Sequence, residues 1–364
     1  MFARSGRKPG RFLFNPPRCG SFLRVREKDE KSEPPSPGGG GLSRPILALA
    51  PMQDLTEPPF CRLIAEYGPP DLFFTPYLRV YPGAVLRKKA RRWLGQPFAG
   101  AGLFVQIMGR EPEALAAAAE ELQNCGAEGV DLNLGCPAPI VCRKGAGGAL
   151  LREPEALDRA LAALRAATRV RLSVKTRLGY SDRSAFGEIL ETIARHSPDL
   201  VVIHARAVRD DPDAPADWAA AAEAVRRLPC PVLINGGVGS ASAAERGLAE
   251  SGADGVMIGR GAVRNPWIFR RIRARLKGEP PPRPGGRELL AYLFRLKEIF
   301  SAPGISEAAL ARRLKGPLNY IAPGVDPTGE FLRRLRRAGT MREMEALWRE
   351  RLDHDDPLPI ALEG

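Results

Sequence analysis

From Ile46 onward the chain alternates short apolar runs with alanine-rich amphipathic stretches, and it does so eight times. The runs are Ile46–Ala50, Leu72–Thr75, Leu103–Ile107, Val130–Asn133, Val170–Lys175, Leu200–His204, Val232–Asn235 and Gly255–Ile258. Helix-like segments such as Glu111–Asn124, Pro154–Ala167 and Ala241–Glu250 separate them. Runs that are apolar on both faces belong in a parallel sheet covered by helices. Eight such units in roughly 220 residues predict an α/β fold, a closed (β/α)8 TIM barrel, here placed over residues 44–269.

The polar residues follow one rule. Each lies at or just past the carboxyl end of a predicted strand, the rim where barrels assemble their active sites. The first strand delivers Pro51, Met52 and Gln53, the third Gln106, and the fourth Asn133 and Cys136. The fifth gives Lys175 and Arg177, the sixth His204 and Arg206, the seventh Asn235, Gly236 and Gly237, and the eighth Gly259 and Arg260. Chance would have spread these groups over both ends. After the fourth strand the chain breaks at Gly135-Cys136-Pro137, and a lysine- and glycine-bearing loop, Arg143–Ala149, leads to a helix. Asp131 and Asn133 are two apart and share a face, as do Lys175 and Arg177. The glycines after the last two strands let backbone N–H groups approach an anion, which Arg260 can pair with; they also suit plain tight turns. Six scattered cysteines and three histidines form no zinc pattern and no disulfide framework, which suggests a reducing interior and no metal.

After Asn265–Phe269 the character changes. Arg270, Arg271, Arg273 and Arg275 precede a proline-rich joint, Glu279–Gly286. Helical patterns follow over Glu288–Ser301, Ser306–Lys315, Gly329–Arg337 and Met341–Leu352, so residues 270–364 are expected to form a small helical bundle. Arg312, Arg313, Lys315, Arg333, Arg334, Arg336 and Arg337 recur there on short spacings. With a net charge of +13 over the whole chain, they point to a polyanion such as nucleic acid, unless they are only a solvated face. No apolar run reaches the length of a membrane span. Residues 1–43 are basic and rich in proline and glycine, and are expected to be a disordered extension. The acidic run Glu27–Glu33 argues against a transit peptide.

The stretch Asp131-Leu-Asn133-Leu-Gly135-Cys136-Pro137, followed by Gly145-Ala-Gly-Gly-Ala-Leu-Leu151, resembles the signature of tRNA-dihydrouridine synthases. The resemblance runs from about Ile46 to Asn319 and includes Ala50-Pro51-Met52, Val105-Gln106, Val174-Lys175-Thr-Arg177-Leu-Gly179, Ile203-His204-Ala-Arg206 and Leu314-Lys315-Gly-Pro-Leu-Asn319-Tyr320. Thr75-Pro-Tyr-Leu-Arg79-Val80 looks most like the C-type branch, although Pro76 stands where that branch usually has an acidic residue. Gln53-Asp54 likewise replaces the family's small residue and glycine. The resemblance implies a flavoprotein. FMN would be held by Pro51, Met52, Gln53, Gln106, Lys175, His204, Asn235, Gly236, Gly237, Gly259 and Arg260, and NADPH or NADH would reduce it. The substrate would be a uridine in the D-loop of tRNA, at position 16 for the C-type. Cys136 would act as the general acid, Asn133, Arg177 and Arg206 would bind the base, and Arg79, Lys315 and Asn319 would contact tRNA. An acid must keep its proton at pH 7, and a thiol with an ordinary pKa of ~8.5 does so without a histidine partner. A cytoplasmic monomer with no obligate protein partner is expected. Two other readings stay open: an FMN barrel acting on a free pyrimidine, and a catalytically inactive tRNA-binding relative.

Overall fold

Nine short strands carry the framework, and their composition explains their pairing. They are β1 (Ile46–Leu49), β2 (Leu72–Phe74), β3 (Leu78–Arg79), β4 (Gly102–Met108), β5 (Gly129–Asn133), β6 (Arg171–Arg177), β7 (Leu200–His204), β8 (Val232–Asn235) and β9 (Gly255–Ile258). The computed structural model describes residues 44–362 apart from 96, 97 and 99. The expected N-terminal extension, residues 1–43, lies outside the described residues. Every strand pair is parallel, and the β1–β2, β2–β4 and β1–β9 pairings close the sheet on itself. This is the predicted (β/α)8 barrel, with additional helices at the C-terminal end.

The second predicted strand, Leu72–Thr75, is found as β2, and a short strand that was not predicted, β3, follows it. β2 pairs with the lower part of β4, Leu72 opposite Gly102, and β3 with its upper part, Leu78 opposite Ile107. Pro76 lies between them and has no N–H to give to a ladder. Thr75 bridges the gap: its N–H donates to the Phe104 carbonyl, and its hydroxyl accepts from the Gln106 N–H at 3.0 Å.

Side chains alternate in and out along each strand. The inward set at the amino-terminal end is apolar: Ile46, Ala48, Leu72, Phe74, Phe104, Leu200, Val202, Leu233 and Met257 form one buried cluster. Phe74 and Phe104 stack with centroids 5.0 Å apart. Gly129 makes room for them, since a Cβ there would sit 2.6 Å from the Phe104 ring. Above this plug the inward positions become polar. The outward positions join the helices in a separate, larger core.

The helices start and stop where their sequences direct. Those over Pro58–Tyr67, Pro112–Asn124 and Pro154–Ala167 open on proline, whose fixed φ suits the first turn. Ser240 caps Ala241–Ser251 by accepting from the Ala243 N–H, and Gly252, at φ 65°, ends it. One expectation was too short. The helix beginning after Ser306 runs from Glu307 to Val325, through Pro317 and Pro323. Leu314, Pro317, Leu318, Ile321 and Ala322 are buried along it, and that packing overrides proline's usual termination.

The C-terminal helices pack on the barrel's own. Tyr67, at the end of the first barrel helix, meets Trp267 edge-on at 5.6 Å and Tyr292 at 5.0 Å. Glu66 pairs with Arg295 beside them. Tyr292 is fully buried, and its hydroxyl has no hydrogen-bond partner among the described residues. A buried donor left unpaired costs stability, while the ring supplies packing. Tyr292→Phe is therefore expected to be neutral or to stabilise the fold by ~1 kcal/mol. Tyr292→Ala is expected to lose ~3–5 kcal/mol, read from urea unfolding midpoints.

Candidate active site

The polar layer above the apolar plug is a hydrogen-bonded chain across β4, β5 and β6. Gln106 donates from Nε2 to Asp131 Oδ2 at 2.7 Å and accepts at Oε1 from Asn133 Nδ2 at 2.8 Å. The Ser173 hydroxyl donates to the other oxygen of Asp131 at 2.5 Å. Asn133 Oδ1 then accepts from the N–H groups of Gly135, at 3.1 Å, and Cys136, at 2.9 Å. A side-chain oxygen taking N–H groups two and three residues ahead fixes a turn. The thiol's backbone is thus fastened to the barrel interior. The far side of the loop is fastened as well, because the Gly148 N–H donates to the Cys136 carbonyl at 3.1 Å.

Burial dominates the protonation states here. It pushes the Asp131 carboxyl up to about 6, a rise moderated by hydrogen bonds from Ser173 and Gln106 and by the charge on Lys175. It also raises the half-buried Cys136 thiol, against smaller opposing effects that include a hydrogen bond from Tyr77. A thiol raised in this way holds its proton at neutral pH. That makes it an acid and a poor nucleophile. Lys175 is brought down to about 8, by burial first and by Arg177 second. His204 is held neutral by burial and by Lys175, Arg177, Arg206 and Arg260 around it.

On the other side of the mouth lies a cavity of about 730 Å³, in the size range of cofactor sites. Pro51, Met52, Lys175, His204, Arg206, Asn235, Gly236, Gly237, Gly259 and Arg260 all line it. Lys175 Nζ donates to Asn235 Oδ1 at 3.0 Å, and Asn235 Nδ2 donates to the Met257 carbonyl. The Nδ1 of His204 is buried with no partner among the described residues. Gly236, at φ +96°, is required on two counts: a Cβ there would be strained and would lie 3.2 Å from His204 Nε2 and 3.1 Å from Arg206 Nη1. Arg260 reaches across the cavity mouth to Asp213 Oδ1 at 2.5 Å and to the Pro212 carbonyl at 2.7 Å.

Several expected site residues are placed differently from the rest. Gln53 is exposed on a turn, away from the cavity lining. In that turn the Met52 carbonyl accepts from Leu55 and Thr56, and Asp54 takes φ 61°. Gln106 and Asn133 are buried, with their amide groups engaged in the chain described above. Arg177 was expected to face a base freely. Instead its Nε donates to the Gly135 carbonyl at 2.9 Å and its Nη1 to the Ala207 carbonyl at 2.8 Å. Arg206 is buried and donates from Nε to the Ala214 carbonyl at 2.6 Å. Lys315 and Asn319 both engage Arg336, through its carbonyl and its Nε. Arg334 makes a bidentate pair with Glu350, with both contacts at 2.6 Å. Asn319 nevertheless lines the cavity beside Tyr320. Arg79 lies at a different hollow on the rim. Sequence reasoning missed Ser173, Tyr77 and Asp213. Ser173 had a signal, since it alternates with Lys175 onto the barrel interior.

The Dihydrouridine synthase (Dus) family profile matches residues 48–299. The chain belongs to the dihydrouridine synthase family. It is an enzyme of that family. It is 36% identical over 257 residues to a probable tRNA-dihydrouridine synthase of Rhodobacter capsulatus, covering 69% of this chain and 78% of that one. It is 34% identical over 307 residues to the tRNA-dihydrouridine(16) synthase of Cupriavidus necator, covering 82% and 95%. With the tRNA-dihydrouridine synthase B of Xanthomonas axonopodis pv. citri it shares 32% over 318 residues, 85% and 93%. Position-16 synthases recur among the relatives, in keeping with the C-type resemblance of Thr75–Val80.

The raised carboxyl gives this Dus enzyme a pH signature. A carboxyl whose pKa is higher folded than unfolded contributes stability below its unfolded value of ~3.9. That contribution is lost as pH rises through about 6. Asp131→Asn keeps the shape and removes the titration. Relative to wild type, the variant is expected to gain on the order of 3 kcal/mol between pH 4 and pH 7. Urea midpoints across that range test this, and parallel pH profiles for the two proteins would refute it.

Proposed function

We propose that this enzyme reduces a uridine of tRNA to 5,6-dihydrouridine, at position 16 of the D-loop, with FMN as prosthetic group and NADPH or NADH as reductant. The observation that carries the reading is a thiol kept protonated by burial, on the same barrel rim as a cavity with glycine loops and cations at one end. The residues fit a flavin mononucleotide. Met52 and Met257 offer apolar wall, Gly236, Gly237 and Gly259 permit close backbone approach, and Arg260 suits its phosphate. The unpartnered His204 Nδ1 and the Lys175 ammonium suit its polar edge. Bound there, the flavin supplies the hydride that C6 of the uracil receives.

The chain's own residues do the rest. Cys136 delivers its proton to C5 of the uracil as the hydride reaches C6, and recovers one from solvent afterwards. Asn133 keeps the thiol in place through the Gly135 and Cys136 N–H groups. Lys175 carries a positive charge at neutral pH, where negative charge accumulates on reduction. The target base belongs to a folded RNA and must be swung out to reach the rim. Arg206, lining the cavity, holds its edge, while Arg177 braces the thiol loop. The basic helices of residues 270–364, with Lys315, Asn319 and the rim residue Arg79, hold the tRNA backbone, which positions it without reading its sequence.

The test uses purified holoenzyme, unmodified tRNA transcript and NADPH. Cys136→Ala is expected to keep its visible flavin absorption and to lose dihydrouridine formation by a factor of at least ~10². Mapping the modified nucleotide in the wild-type reaction checks position 16. Normal turnover by Cys136→Ala, or equal turnover of free uridine, would overturn the reading.

A further inference from the structure

A second hollow, of about 250 Å³, opens on the rim beside the thiol loop. Its walls come from Arg79–Pro82 after β3, from Met108–Glu111 after β4, and from the loop after Cys136, through Ile140, Val141, Lys144 and Ala146. It shares a wall with the reaction centre, since Met108, Val141 and Ala146 pack together with Tyr77 and Cys136 in one small apolar cluster.

Its chemistry is unusual for a surface. Five large apolar side chains are exposed among the described residues, and two of them, Tyr81 at 61% and Ile140 at 49%, line this hollow. Three cations and one carboxylate, Glu111, accompany them. Arg110 is part of the wall, fixed in a bidentate pair with Glu153 at 3.2 and 2.9 Å. Gly145 leaves it room, since a Cβ there would strike the Arg110 guanidinium. Arg79 and Lys144 are exposed and make no ion pair among the described residues. An open aromatic face with two uncommitted cations beside it, on a strongly basic chain, matches an unstacked nucleotide: the base has a face to stack and the phosphate a charge to pair. The volume falls below that of a drug-sized pocket and suits a single base.

We propose that this hollow is a second nucleotide subsite, in which one unpaired base next to the target uridine stacks on Tyr81 while its phosphate lies between Arg79 and Lys144. The proposal rests on the tRNA-reduction reading above. When the target base is swung toward Cys136, its neighbour is pulled out of the loop with it, and the hollow adjoining the thiol receives it. Stacking tolerates any base, so the subsite contributes grip and placement and leaves base identity unread.

The test measures the dissociation constant of full-length holoenzyme for tRNA transcript at fixed salt, with flavin content and circular dichroism as checks on folding. Tyr81→Ala is expected to weaken binding on the order of 10-fold, and Tyr81→Phe by no more than about twofold. The double variant Arg79→Gln/Lys144→Gln is expected to flatten the plot of log affinity against log salt by about 0.7, the value for one phosphate of a single strand. A transcript carrying 4-thiouridine beside the target is expected to crosslink to Tyr81 under near-ultraviolet light. Unchanged affinity in Tyr81→Ala, with a wild type that still binds and reduces tRNA, would overturn the subsite alone. The subsite would also fall if Tyr81→Ala altered self-association in sedimentation while tRNA affinity stayed the same, since the face would then be a contact between copies. A wild type that neither binds nor reduces tRNA would overturn the underlying reading.

Discussion

Asp131 is the group on which the mouth of this barrel depends. It is fully buried and would be costly there as an unpaired charge. Ser173 and Gln106 satisfy it, and Gln106 can then present only its carbonyl oxygen to Asn133. That orientation leaves Asn133 Oδ1 facing the thiol loop, where it takes two backbone N–H groups. Each step follows from the donor and acceptor inventory of the side chains involved. The position of the Cys136 thiol is thereby decided by hydrogen bonds formed one layer below it.

The layering of the interior gives this chain its leverage. The lower inward positions are apolar and close-packed, with Phe74 stacked on Phe104, so the sheet has little freedom to adjust. The upper inward positions carry nearly all the ionisable groups of the site, and each of these is shifted by burial before anything else. A rigid, water-poor floor under a polar ceiling lets fixed dipoles and charges act at full strength.

Much of this was legible in the sequence. Eight apolar runs separated by helical stretches are enough for a closed barrel, because period and spacing are local properties. The gathering of polar residues on one rim was readable for the same reason. Partnerships between distant residues were not. Nothing in the local pattern around Arg177 says that its donors go to Gly135 and Ala207, on loops 42 and 30 residues away. Nor does the arginine-rich C-terminal sequence reveal that Arg334 is matched by Glu350. The expectation for the helix after Ser306 stopped short because proline is a strong local signal, while the buried face that overrides it is set by tertiary contacts.

The arginine strap has an implication for anyone transplanting parts between these enzymes. Arg177 ties the loop bearing the sulfur to the loop following β7 through a single side chain. Grafting the segment around Ala207 from a relative, with the aim of altering what enters the mouth, would also disturb the backbone that carries the Cys136 thiol. The two loops share one brace, and they should be exchanged together.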